Sequence, residues 1–142
     1  MKFMMMMKAD ADYEAGRPPP PALMEAMGAY TAKNVEAGIV VLTGGLAPSA
    51  MGGARVHVKG GKMQTVDGPF AETKELIGGF AVVEARSREH ALAIAREFMQ
   101  VHRDVLGPTW EGSCEIRPMF GGGTEIPCPE VDERPGRAIE HA

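Results

Sequence analysis

Cysteine is scarce: Cys114 and Cys128 are the two in 142 residues, too few for a disulfide framework, and a reducing, cytoplasmic setting is the expectation. Long hydrophobic runs are lacking as well. Phe3 to Met7 are five apolar residues ahead of Lys8, Asp10 and Asp12, shorter than a signal-peptide core and far from the ~20 residues of a membrane span, so neither export nor membrane insertion is expected. No run of lysines or arginines occurs. The net charge is −4, and most of the acidity lies in residues 124–142, which hold five acids against two arginines. Such a chain lacks the basic footprint of a phosphate-backbone binder, which argues against direct nucleic-acid binding. Glycine and proline, at 18 and 11 residues, stay below the level of collagen-like or low-complexity chains. No HxH, HxxxH or CxxC pair is present to hold a metal, and Gly44-Gly45 and Gly52-Gly53 lack the spacing of a phosphate loop. No cofactor is expected.

What is there fits one domain with a core, residues 1–120, and a polar C-terminal tail, 121–142. Residues 2–8 form an apolar run bounded by lysines, the pattern of a strand buried on both faces. The four methionines Met4 to Met7 invite a soft-metal reading. Strand geometry opposes it, because successive side chains point to opposite faces, and core packing by flexible side chains is the better account. A polar loop ends in Pro18 to Pro21, which suits a helix start, and helical spacing of Leu23, Met27, Tyr30 and Asn34 predicts a helix over Ala22 to Ala37 with Gly38 as its stop. Ile39 to Leu42 reads as a second buried strand. The runs 55–59 and 62–66 flank Gly60-Gly61, a two-residue hairpin signal, with one face of the hairpin exposed. Ile77 to Ala85 is a further central strand with a bulge or close backbone approach at Gly78-Gly79. Ser87 is a plausible N-cap for a second long helix ending near Gly107-Pro108, and Ser113 to Met119 alternates as the last strand.

The order β-α-β, hairpin, β-α-β predicts an α+β, ferredoxin-like sheet with both helices on one face. Its other face needs cover. An identical sheet from a second copy is the commonest solution, so a homodimer is expected.

Chemistry concentrates in Asp67-Gly68-Pro69-Phe70-Ala71-Glu72-Thr73-Lys74-Glu75, followed by Gly78-Gly79-Phe80. These residues resemble the YCII-related superfamily, and in particular the branch named for its DGPF motif, over roughly residues 2–119. The resemblance implies a ferredoxin-like dimer, a dimeric α+β barrel, with a cleft between sheet and helices. It also implies acid/base chemistry of the kind proposed for superfamily enzymes, in which a histidine and an aspartate form a pair and one member type is a dehydrochlorinase of chlorinated hydroxyquinols. Relatives of the DGPF branch occur beside extracytoplasmic-function sigma factors, which implies a sigma factor as an alternative partner. The chain departs from the enzyme-like pattern in one place: Ala22 to Ala37 holds no histidine.

Two readings of the motif follow. In the functional one, Asp67 is a general base with Lys74 as electrostatic partner and Glu72 or Glu75 as acid, because a sheltered carboxylate can titrate near neutrality. Gly68, Pro69, Phe70, Thr73, Glu75, Gly78 and Gly79 then line the cleft of a small-molecule ligand. In the structural one, Asp67 caps its own turn, Pro69 stiffens it, Phe70 plugs the core and the charged residues form a solvated rim. His102 shares the helix face of Ala95, Phe98 and Met99, as a locally bonded core-edge residue or a catalytic one. His57 is expected to be exposed. Trp110 either closes one end of the cleft or covers the core edge. The tail, with Ile126, Val131 and Ile139 among prolines and acids, is too sparse for a core of its own.

Overall fold

A computed structural model describes residues 1–71 and 75–121; the expectations for Glu72, Thr73 and Lys74 and for the tail from residue 122 lie outside the described residues. In chain order the elements are β1 (Lys2–Lys8), α1 (Ala11–Glu14), α2 (Pro21–Glu36), β2 (Val40–Gly45), β3 (Ala54–Lys59), β4 (Lys62–Asp67), β5 (Ile77–Glu84), α3 (Arg88–Leu106) and β6 (Cys114–Pro118). Four strands form one sheet in the order β2-β5-β1-β6, and β3 with β4 forms a separate two-stranded ribbon. Every pairing in the larger sheet is antiparallel. With the ribbon set aside, two β-α-β units remain whose first strands lie side by side in the centre. This is the ferredoxin-like α+β arrangement that the element order predicts.

Strand alternation sorts the sheet into two faces. Phe3 pairs with Val83 and Pro118, and Met5 with Ala81 and Ile116, so these side chains share one face. That face meets the helices: Phe3, Met5, Val83 and Ala85 pack with Ala91, Ile94 and Ala95 as the buried core. Helix α3 packs through apolar residues at 91, 94, 95 and 98, one stripe of a 3.6-residue period that His102 continues. Ser87 caps it, accepting from His90 N at 3.1 Å, while Arg86 N donates back to His90 Nδ1 at 3.0 Å. Gly107, at φ 94°, ends it in the left-handed region that favours glycine.

Several details differ from the sequence-based expectation. Residues 11–14, expected as loop, form a helical turn capped by Asp10, whose carboxylate accepts from Tyr13 N at 2.7 Å. One capped turn is too short to produce a periodic pattern. The β3–β4 ribbon is exposed on both faces rather than one, because it stands outside the main sheet. Strand β1 is fully buried only at Phe3 and Met5, on the helix-facing side. The register does shift between Met7 and Lys8, opposite Gly79 and Ile77, leaving Gly78 as the irregularity that its Gly-Gly signal predicts. A β-carbon on Gly78 would lie 3.3 Å from the Tyr13 ring, so the strand start and α1 approach as closely as the sequence allows.

Candidate functional site

Between the helix-facing side of the sheet and the α2–α3 layer lies a cavity of about 610 Å³, within the range of small-molecule sites. It exists because the sheet offers small residues there. Gly79, Ala81 and Thr43 face it from the strands, beside Met5 and Met7 of β1. Met24 and Met27 of α2 and Phe98, His102 and Leu106 of α3 close it from above. Tyr13, the prolines 18–20 and Trp110 bound its end. Its wall is chiefly apolar, with a few polar groups at set positions.

His102 is the polar group best held in that wall. It is 8% exposed, and its Nδ1 lies 2.9 Å from the Phe98 carbonyl oxygen. A carbonyl only accepts, so Nδ1 carries the proton in this bond and the neutral ring keeps its lone pair on Nε2. No hydrogen-bond partner of Nε2 is found among the described residues. The imidazole stacks on Trp110, with centroids 5.4 Å apart and 21° between planes, and packs against Phe98 at 4.7 Å and 52°. Trp110 is itself confined, because a β-carbon on Gly112 would fall 2.3 Å from its ring. Two aromatic neighbours and one backbone bond thus set the imidazole plane.

The charged and phenolic groups around the cavity are engaged. Tyr13 Oη donates to the Gly78 carbonyl at 2.7 Å and also approaches that of Leu46. Lys8 lies 3.8 Å from Glu115, and Arg17 donates to Asp12 at 2.7 Å. Burial pushes the Cys114 thiol up from its usual value, against a smaller opposing bond from the Met6 backbone, so it stays protonated and is no thiolate nucleophile. Tyr30, which donates to the Ile94 carbonyl at 3.1 Å, is pushed up to about 12 by burial first and then by Glu97 and Cys114.

The structure divides the predicted site residues into two places. Gly78, Gly79, His102 and Trp110 line the cavity. Asp67, Gly68, Pro69, Phe70 and Glu75 do not, and Asp67 and Glu75 are exposed. The described part of the DGPF segment is instead bound to the loop before β3. Gly68 N donates to Gly53 O at 2.8 Å, and a β-carbon on Gly68 would sit 2.1 Å from the Ser49 carbonyl oxygen, so only glycine fits. The Gly68–Pro69 peptide is cis. Phe70 N donates to Ser49 Oγ at 3.0 Å, and Ser49 Oγ donates in turn to Glu14 Oε2 at 2.5 Å. Ser49 N also donates to Glu14 Oε1 at 3.0 Å. The half-buried Phe70 ring lies under the Arg55 guanidinium, 4.0 Å from Cζ to centroid, and is not part of the core cluster. The motif is therefore tied to α1, whose Tyr13 bounds the cavity, without lining the cavity itself.

Tyr13 is a cavity residue for which the sequence carries no role, and Met5, Met7 and Cys114, expected as core packing and a strand cysteine, line the cavity as well. The one local feature that could have revealed α1 is Asp10, which the structure shows as its N-cap. His57 is exposed on the ribbon, as expected from its strand position. Among the described residues no group of three His, Cys, Asp or Glu side chains is placed to hold a metal ion, and no helix is long and apolar enough to cross a membrane.

A ferredoxin-like sheet carrying two helices on one face, with a ligand-sized cavity between the layers, defines a small α+β domain of a type that supports many chemistries. Comparison with known proteins narrows this: the YCII-related domain matches residues 1–106, and the chain belongs to that family. It is also 33% identical over 97 residues to an uncharacterized protein of Rhizobium meliloti (strain 1021), an alignment covering 68% of this chain and 73% of the relative.

Proposed function

We propose that this YCII-family chain, through its Asp67-Gly68-Pro69-Phe70 motif a member of the DGPF branch, is a homodimeric small-molecule-binding protein whose ligand occupies the cavity between the sheet and α2–α3. The observation that carries the reading is a ligand-sized apolar cavity with one oriented acid/base group in its wall, His102, whose Nε2 has no partner among the described residues. Acid/base chemistry on a bound molecule falls to His102 rather than to Asp67, because a proton acceptor must reach the reacting atom. The homodimer draws support from apolar side chains that the single chain leaves uncovered: Val58 is 70% and Met63 76% exposed on one face of the ribbon.

The test uses the neutral fluorophore N-phenyl-1-naphthylamine. Trp110 is the single tryptophan of the chain and lies in the cavity wall, so saturable binding should quench its emission. Met27→Arg, which places a charge on the cavity side of α2 at a half-buried position, should weaken binding roughly fivefold or more by the cost of desolvating a cation. An intact dimer that binds no probe would move the reading to an accessory protein acting through a protein partner.

A further inference from the structure

We infer that the cavity takes a neutral, flat aromatic molecule carrying a hydrogen-bond donor, and that His102 Nε2 accepts from that donor and so selects the ligand. This rests on the reading of the cavity as the ligand site. Three observations lead to the ligand class.

The first is charge. Lys8 faces Glu115, Arg17 is bonded to Asp12, and Asp10 caps α1. Each charged group bordering the cavity thus already has a partner, an opposite charge for Lys8, Asp12 and Arg17 and a backbone N–H for Asp10, and the wall behind them is apolar. An ionised ligand would lose its hydration without gaining a free counter-charge, so a neutral one is favoured.

The second is shape. Phe98, His102 and Trp110 form a contiguous aromatic wall in which His102 and Trp110 are nearly parallel. Flat π-systems stack or meet such a wall edge-on with a gain beyond the area buried.

The third is hydrogen-bond polarity. The Phe98 carbonyl holds the proton on Nδ1, and Nε2 has no partner among the described residues. A neutral imidazole in this tautomer offers an acceptor at Nε2 and no second donor. The matching ligand atom is an N–H or O–H. A ligand presenting only an acceptor at that point would leave two lone pairs opposed.

The probes are indole and 1-methylindole, which differ in the N–H alone. Ligand-observed NMR titration of the full chain should give indole a dissociation constant roughly fivefold lower, in the range of a single net hydrogen bond, even though the methyl group adds apolar area. In His102→Phe the ring stack is kept and the acceptor removed. There the two probes should bind within about twofold of each other. Should that variant not fold, the natural chain still decides: the 15N resonance of His102 Nε2 should move on adding indole and stay in place with 1-methylindole. Equal affinity of both probes for the natural chain, or a preference that survives in His102→Phe, overturns the acceptor role and leaves the cavity site standing. Failure of both probes to bind overturns the cavity reading together with it.

Discussion

Tyr30 and His102 both donate to backbone carbonyls of α3, at Ile94 and Phe98, yet their chemical fates differ. Burial holds the Tyr30 phenol protonated up to about 12, against about 10 for an exposed tyrosine, so it serves packing and not proton transfer. The consequence for stability has a definite sign. The protonated phenol is favoured in the folded chain, so its contribution is complete below pH ~10 and is lost as pH rises toward about 12. Thermal melts of the natural chain should fall over that interval, and Tyr30→Phe should flatten this part of the curve. His102, by contrast, places in the cavity wall a ring nitrogen with no partner among the described residues. Its place on the apolar stripe of α3 was legible from spacing, since Ala91, Ile94, Ala95 and Phe98 precede it at helical intervals. Its stack on Trp110 was not, because seven residues, including the turn closed by Trp110 N on the Gly107 carbonyl, separate the two rings.

The element that joins the DGPF segment to the cavity is α1, a single turn. Glu14 at its end accepts from Ser49, and Ser49 accepts from Phe70, while Tyr13 bounds the cavity. Ser49 is 8% exposed, so this relay is sheltered from water. Ser49→Ala should leave the part-buried Phe70 N–H unpaired and cost about 1–3 kcal/mol, read as a lower urea midpoint with an unchanged slope. It should also weaken probe binding through displacement of Tyr13, although Ser49 itself is outside the cavity. A reading that makes Asp67 the base predicts the reverse order of sensitivity. Carboxylates are dense between residues 67 and 75, whereas what the fold uses among the described residues of that segment is the turn: Gly68 against the Ser49 backbone and Phe70 on Ser49 Oγ. Carboxylate spacing in sequence does not report which way a loop turns relative to a cavity.

At the scale of the molecule, one layer of helices covers one face of the sheet, and the β3–β4 ribbon stands apart with Val56, Val58 and Met63 exposed. If a second copy covers this surface, Val58→Glu should shift the sedimentation coefficient from dimer to monomer at micromolar concentration, because an unpaired carboxylate in a buried apolar contact is costly. A chain that sediments as a monomer without the substitution would remove the dimer from the proposed function and leave the cavity site intact.

The sequence by itself determined the order of the major elements, the hairpin at Gly60-Gly61, the irregularity at Gly78-Gly79 and the apolar stripe of α3. These follow from local rules, namely periodicity, caps and the positive φ that Gly60 and Gly61 adopt. Only the tertiary structure decided which chemistry-bearing residues meet. It brought Tyr13, Gly79, His102 and Trp110 around one cavity, and placed Asp67 and Glu75 outside its wall. That choice depends on long-range strand register and on how small residues in the sheet leave space beneath the helices. Neither is written in any short stretch of the chain.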